Sequence, residues 1–338
     1  MTATALLREA PAPAPRVLPI DPSGWRNHAM HAADRHWPQT NCYADLWIEV
    51  LHAMGLEPAA AFGFAISQDF EGDQFTFFKP PLEDLESLYG LRVTELALYD
   101  DLVSHLALQA AQGRIVLIEL DSFYLPDTAG LTYRTAHGKT TVAINRIDPA
   151  ARELDYFHNE GFWRASGEDF DGLMRLAPGQ AREDTLFPYA EMARLPKERC
   201  SSAETAAAAL SLLVRHIRRR PETNPLIGFR AVVEAQGAAL KERPTESFHH
   251  YAFNTLRQLG ANFELFASHL AWLTREGLEG LGEAEAAAGS IAEGAKIAQI
   301  VMARSVRQGS YGRLDGTLAA IQADHDRLIA ALTARFPG

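Results

Sequence analysis

Beyond residue 200 nothing in the chain reads as a β-strand, and this limits the fold more than any other feature. The segments ETAAAALSLLVRHIRR, LIGFRAVVEAQGAAL, ESFHHYAFNTLRQLGANFELFASHLAWL, AAAGSIAEGAKIAQIVMARSV and LDGTLAAIQADHDRLIAAL carry apolar residues at intervals of three and four. That period places them on one helix face. Residues 201–338 are therefore expected to form an all-α bundle of four to six helices. No fixed-period repeat is present, which argues against a solenoid.

The front half is of a different kind. Residues 42–54 predict a helix in which Asp45, Glu49 and His52 form one narrow polar stripe and apolar residues cover the rest, so it is buried on most sides. FTFFK (75–79) is a candidate strand, and PPLEDLESLYG (80–90) a helix begun by Pro81 and stopped by Gly90. A helix over 100–111 leads through Gly113 into RIVLIEL (114–120), whose continuous β-branched run predicts a buried strand. KTTVAIN (139–145) and LDYFHN (154–159) predict two further strands, neighbours across the Asp148-Pro149 turn. Ser166 is expected to open a helix carrying Phe170, Leu173 and Met174. The expected organisation is α+β: an extended lead-in over 1–24, a mixed domain over 25–176, a linker over 177–200, and the helical domain.

Charge and cysteine usage narrow the function. The net charge is −11, and residues 1–198 hold 16 basic against 29 acidic side chains. Such a surface is unsuited to general nucleic-acid binding. No apolar run reaches the roughly 18 residues that span a bilayer, and the N-terminus lacks the pattern of a secretory signal. Cys42 and Cys200, the only two cysteines, have no zinc-like spacing. A cytoplasmic protein with free thiols, and with no metal or bound cofactor, is expected. The basic cluster VRHIRRRP (214–221) reads as a solvated helix end, with contact to an acidic partner as the alternative. Neither His249-His250 nor the Asp69–Glu71–Asp73 group has the geometry of a metal site.

Cys42 carries the chemistry. With Asn41 or Thr40 as cap, it falls at the first turn of helix 42–54, where unpaired amides and the helix dipole favour a thiolate. Asp45 opposes this slightly. A base is needed, and His137, ahead of strand 139–145 and behind a polar loop, is placed to be reachable and rigid. Asn159 at the end of the next strand is expected to orient the imidazole, in preference to His158, because an amide needs no particular protonation state. The Cys42 amide, with the side chain of Gln39 or of Asn41, would stabilise an oxyanion. Each residue also has an ordinary use: cysteine as packing, histidine as surface, asparagine as turn.

TNCYADLWIEVLHAMGLEP, FEGDQFTFFKPPLEDLESLYG and VLIELDSFYLPDTAGLTYRTAHGKTTVAINRID resemble an uncharacterised bacterial family. That family is similar in layout to the N-terminal domain of butirosin biosynthesis protein H, within the papain-like cysteine peptidase superfamily. The resemblance covers about residues 35–176. It implies a papain-like domain, a helix plus a mostly antiparallel sheet, with Cys42, His137 and Asn159 in the family order. The stretch Asp121 to Pro126 matches the butirosin group, which makes Asp121 and Tyr124 candidate pocket residues. The papain-type glutamine position, six before the cysteine, is His36 here, and Gln39 is only three before. The residue pair His158-Asn159 replaces the Asp-Pro seen at the third member in bacteriocin-type relatives.

By resemblance the activity is acyl or aminoacyl transfer from a carrier-protein thioester, on a phosphopantetheine arm, to a small-molecule amine. A cysteine peptidase or amidase acting on a small peptide would use the same residues. A catalytically inactive papain-like module in a biosynthetic complex is the non-enzymatic alternative.

Overall fold

Local sequence signals become elements as follows in a computed structural model that describes residues 14–176 and 186–337. Helix α1 (Cys42–Ala53) starts where the Asn41 side chain accepts from the Tyr43 and Ala44 amides, satisfying two of the four orphan donors of a helix start. Helix α2 (Leu82–Tyr89) stops at Gly90, whose φ of 70° is the left-handed conformation that glycine adopts without strain. Strand β1 (Arg92–Glu95) follows, then α3 (Leu102–Ala111), capped by Asp101 on the Ser104 amide. Strands β2 (Arg114–Asp121), β3 (Lys139–Asp148), β4 (Glu153–His158) and β5 (Gly161–Ser166) come next. Helix α4 (Glu168–Leu173) and strand β6 (Ala190–Arg194) complete the α+β part.

The six strands form one sheet in the order β1-β6-β2-β3-β4-β5. Strands β2 and β3 are antiparallel, with Val116 opposite Ile144 and Asp121 opposite Lys139. Helix α3 lays Leu102, Leu106 and Ala110 on Val116, Ile118, Val142 and Ile144, so the apolar run in β2 is buried as its composition predicts.

Three expectations are corrected. FTFFK is not a strand; only Phe75 makes an isolated bridge, to Phe70, and both rings pack on Phe229. Ser166 ends β5 and does not cap α4, whose first residue follows Gly167. Part of the expected linker is strand: residues 190–194 are β6, between β1 and β2, while 177–185 lie outside the described residues. Strands β1 and β5 were not anticipated.

The helical part comprises α5 (Ser202–Arg218), α6 (Pro225–Lys241), α7 (Thr245–Ala252), α8 (Gln258–Arg275), α9 (Gly282–Gln308) and α10 (Gly312–Arg335). A Ser201–Glu204 capping box starts α5. A π-helical segment, Phe253–Arg257, joins α7 to α8. Gly260 in α8 admits the Trp37 ring, which a Cβ would meet at 2.5 Å; Trp37 Nε1 donates to the Ala292 carbonyl at 3.0 Å.

Two compact units emerge, both discontinuous in sequence: 1–24, 95–156 and 163–193 in the first, 25–94, 157–162 and 194–338 in the second. Helix α1 thus belongs with the helical segments. None of the described helices is long and apolar enough to cross a membrane.

Candidate active site

In the first unit the antiparallel pairing of β2 and β3 does the positioning. Asp121 ends β2 opposite Lys139, so His137, two residues earlier, lies beside the Asp121 carboxylate. His137 Nδ1 is 2.6 Å from Asp121 Oδ2. A carboxylate only accepts, so Nδ1 carries the hydrogen, and in the neutral ring Nε2 then has the lone pair. The amides of Phe123 and Gly138 donate to Asp121 Oδ1 at 3.1 and 3.2 Å, and the Ser122 amide closes the corner on the Gly138 carbonyl at 2.8 Å. A Cβ at residue 138 would lie 2.9 Å from Ser122 Oγ, so glycine lets the two strands' ends approach without moving that hydroxyl. The imidazole stacks on Phe123 with centroids 4.5 Å apart and is 69% exposed. An imidazole fixed on one edge and open on the other suits proton transfer. A pocket of about 580 Å³ opens beside it, lined by Asp121, His137, Lys139, Arg175 and Tyr189 among others.

The ring partner of His137 is therefore Asp121 and not the expected Asn159. Asn159 sits between β4 and β5 at φ 48°, a left-handed conformation asparagine tolerates, and His158 is buried. Asp121 is among the residues that line the cavity beside His137. Tyr124 packs its ring against Gly172, where a Cβ would clash at 2.1 Å, and lies outside that pocket's lining.

In the second unit Cys42 is half-buried at the first position of α1. Asn41 Oδ1 takes the Tyr43 and Ala44 amides, and its Nδ2 donates to the Phe78 carbonyl at 3.0 Å. Its Oδ1 is thus committed to capping, while Nδ2 keeps one of its two hydrogens. Gln39 donates through Nε2 to Glu160 Oε1 at 2.6 Å, which leaves one of its two amide hydrogens for a ligand.

The polar stripe of α1 is buried as well. Thr40 donates to Asp45 through its amide and hydroxyl, at 2.8 and 2.5 Å. Glu49 accepts from Trp25 Nε1 and the His28 amide, both at 2.9 Å. His31 lies against both carboxyls, 3.7 Å from Asp45 and 3.3 Å from Glu49. Burial pushes the Asp45 and Glu49 carboxyls up to about 7 and the His31 imidazole down to about 3. All three groups are favoured neutral, which is how a buried cluster avoids the cost of desolvated charge.

The two kinds of shift act oppositely on stability. A carboxyl raised in the native state contributes its full stabilisation below the ordinary carboxylate range and loses it as pH rises to about 7. A lowered histidine stabilises fully above its ordinary value of 6.5 and loses that contribution as pH falls toward about 3. Asp45→Asn removes only the first. Urea unfolding at about pH 5 and about pH 8 should show the variant gaining on wild type by on the order of 2 kcal/mol at the higher pH. An equal difference at both pH values would mean that Asp45 is already ionised at the lower one.

The basic cluster of α5 is partly a clasp. Arg215 pairs with Asp84 of α2, and His216 Nε2 lies 2.6 Å from the other Asp84 oxygen. Among the described residues no group of three His, Cys, Asp or Glu side chains could hold a metal.

Sequence reasoning missed the Asp121–His137 pair, although the register of β2 on β3 contains it. It also missed His31, and Arg257, which donates to the Thr40 and Gln39 carbonyls at 3.0 and 2.8 Å just ahead of Cys42. The DUF1839 N-terminal domain family matches residues 26–195, and the DUF1839 C-terminal domain family matches residues 202–334. No curated protein matches the chain.

Proposed function

The chain belongs to the DUF1839 family, both of whose domains it carries, and from that premise we propose that it is a cysteine-dependent acyl or aminoacyl transferase. In this proposal the fold is papain-like and related to the butirosin-type enzymes, the donor is a thioester on a carrier protein, and the acceptor is a small-molecule amine. The observation that supports it most is the 2.6 Å contact between an exposed His137 and Asp121.

The steps balance without a cofactor. The Cys42 thiol gives its proton to His137 Nε2, and the thiolate adds to the thioester carbonyl. The tetrahedral intermediate collapses, the donor thiolate leaves, and His137 returns the proton to it. Thioester exchange leaves a Cys42 acyl-enzyme of nearly equal energy. The acceptor amine then adds to that carbonyl, loses a proton to His137, and Cys42 departs as the thiol. Asp121 keeps the imidazole in the tautomer that accepts and stabilises the imidazolium formed at each transfer. This chemistry requires Cys42 and His137 to serve one substrate.

The acceptor decides between transfer and hydrolysis. With an aminoacyl thioester as donor, added amine should convert the acyl group to amide, and without amine the acyl-enzyme should persist. Rapid release of free acid in the absence of amine would identify an amidase or peptidase instead. Absence of any adduct on Cys42 would favour the inactive binding module.

A further inference from the structure

A second cavity, of about 370 Å³, is lined by His31, Trp37, Gln39, Glu160, Arg257 and Lys296 among others. Arg257 closes the π-helical segment, a form of helix that recurs at functional sites. Its Nε and Nη2 are spent on the Thr40 and Gln39 carbonyls. That leaves Nη1 without a hydrogen-bond partner among the described residues. Lys296, on α9, holds its Nζ 4.2 Å from the Trp37 ring centroid.

Among the described residues neither cation has an ion pair. The neighbouring carboxyls have other hydrogen-bond partners. Glu160 accepts from Gln39. Glu264 takes the His36 and Trp37 amides at 2.9 Å each, with Arg35 nearby. Asp45 is held by Thr40. Burial lowers both cations from their ordinary values and the charge of Arg257 lowers Lys296 further, while Asp45 and Glu160 act the other way on Arg257 and Glu264 on Lys296. The two cations share this half-enclosed cavity with a single lining carboxylate, Glu160, which pairs with neither, so an anion that enters still meets an excess of positive charge. A guanidinium edge and an ammonium beside an aromatic wall match the oxygens of a phosphate or carboxylate.

We infer that this cavity binds an oxyanion, a phosphate or a carboxylate, carried by the substrate that Cys42 acts on. The link to Cys42 rests on the acyl-transfer proposal and on the chain itself: Arg257 grips residues 39 and 40, and Asn41 caps the helix that Cys42 begins. The cavity supplies binding energy away from the reacting carbonyl, which an enzyme can use to position the thioester.

Binding is tested apart from catalysis. Inorganic phosphate titrated calorimetrically into the full chain should give a saturable heat, and Lys296→Met should weaken it roughly fivefold or more. Methionine keeps the stem on Trp37 and removes the charge, so the fold is retained. Equal affinity in both proteins, or no saturation in wild type, overturns the inference.

A second arm names the source. One thioester bearing a phosphate on its thiol portion is compared with the same thioester lacking it, and one amino-acid acceptor with its uncharged amide. A preference of roughly tenfold for the phosphorylated donor, carried in KM and lost in Lys296→Met, assigns the oxyanion to the donor. The same loss for the acceptor pair assigns it to the amine. If Lys296→Met slows charged and uncharged substrates alike, the inference fails while acyl transfer stands. If phosphate binds but Cys42 is never acylated, acyl transfer fails while the oxyanion site stands.

Discussion

Cys42→Ala should give no acyl adduct by intact mass under conditions in which the wild-type protein gains one acyl group, and its transfer rate should fall by roughly a thousandfold or more. The size of the effect follows from removing the atom that bonds to the substrate, for which no neighbouring group substitutes. Cys200 is the internal control. It is also half-buried, lies ahead of α5, and has no role in the proposed steps, so Cys200→Ala should retain the adduct. The fold should survive, because alanine suits a first helical turn and the Asn41 cap binds the backbone of residues 43 and 44 rather than the sulfur. An adduct that persists on Cys42→Ala refutes the nucleophile assignment.

Asp121→Asn is expected to slow acylation by roughly 10²–10⁴-fold with little loss of stability. Its amide oxygen can still take the Phe123 and Gly138 amides. Its NH₂ then faces His137 Nδ1, which must accept in place of donating. The hydrogen moves to Nε2, and the edge that should receive the thiol proton is blocked. Asn159→Gly keeps the left-handed backbone at φ 48° and should stay within about threefold of wild type. The measurement is the single-turnover rate of adduct formation for both variants. A silent Asp121→Asn beside an inactive Asn159→Gly would return the orienting role to residue 159.

Elements with strong local chemistry were readable from sequence. The Asn41 cap, the left-handed Gly90 and the apolar run in β2 each announce themselves within a few residues. Strand β1 is mostly exposed and four residues long, so it has no apolar signature. Strand β6 buries Ala190, Glu191, Met192 and Ala193, small and mixed residues whose strand character comes from the sheet around them. FTFFK misled because aromatic residues suit strands in general, whereas here Phe75 serves a ring cluster with Phe70 and Phe229.

The site follows the same rule. The position of Cys42 is a local property of one helix start. The His137–Asp121 contact spans 16 residues and exists only through the β2–β3 register. Periodicity correctly put Asp45 and Glu49 on one stripe of α1. It could not show that the stripe faces His31 rather than water. Arg257 is more than 200 residues from the carbonyls it holds, and no local pattern reports such a partner.

The place of β6 bears on synthesis of the chain. It is the last strand to leave the ribosome, yet it fills the second lane of the sheet. A nascent chain ending at residue 176 already contains Asp121 and His137, but β1 and β2 have nothing between them. Their unpaired amides and carbonyls are then open to neighbouring molecules, the condition that favours edge-to-edge aggregation. Translation has to pass Arg194 before the sheet can close, and any excised N-terminal fragment must run at least that far.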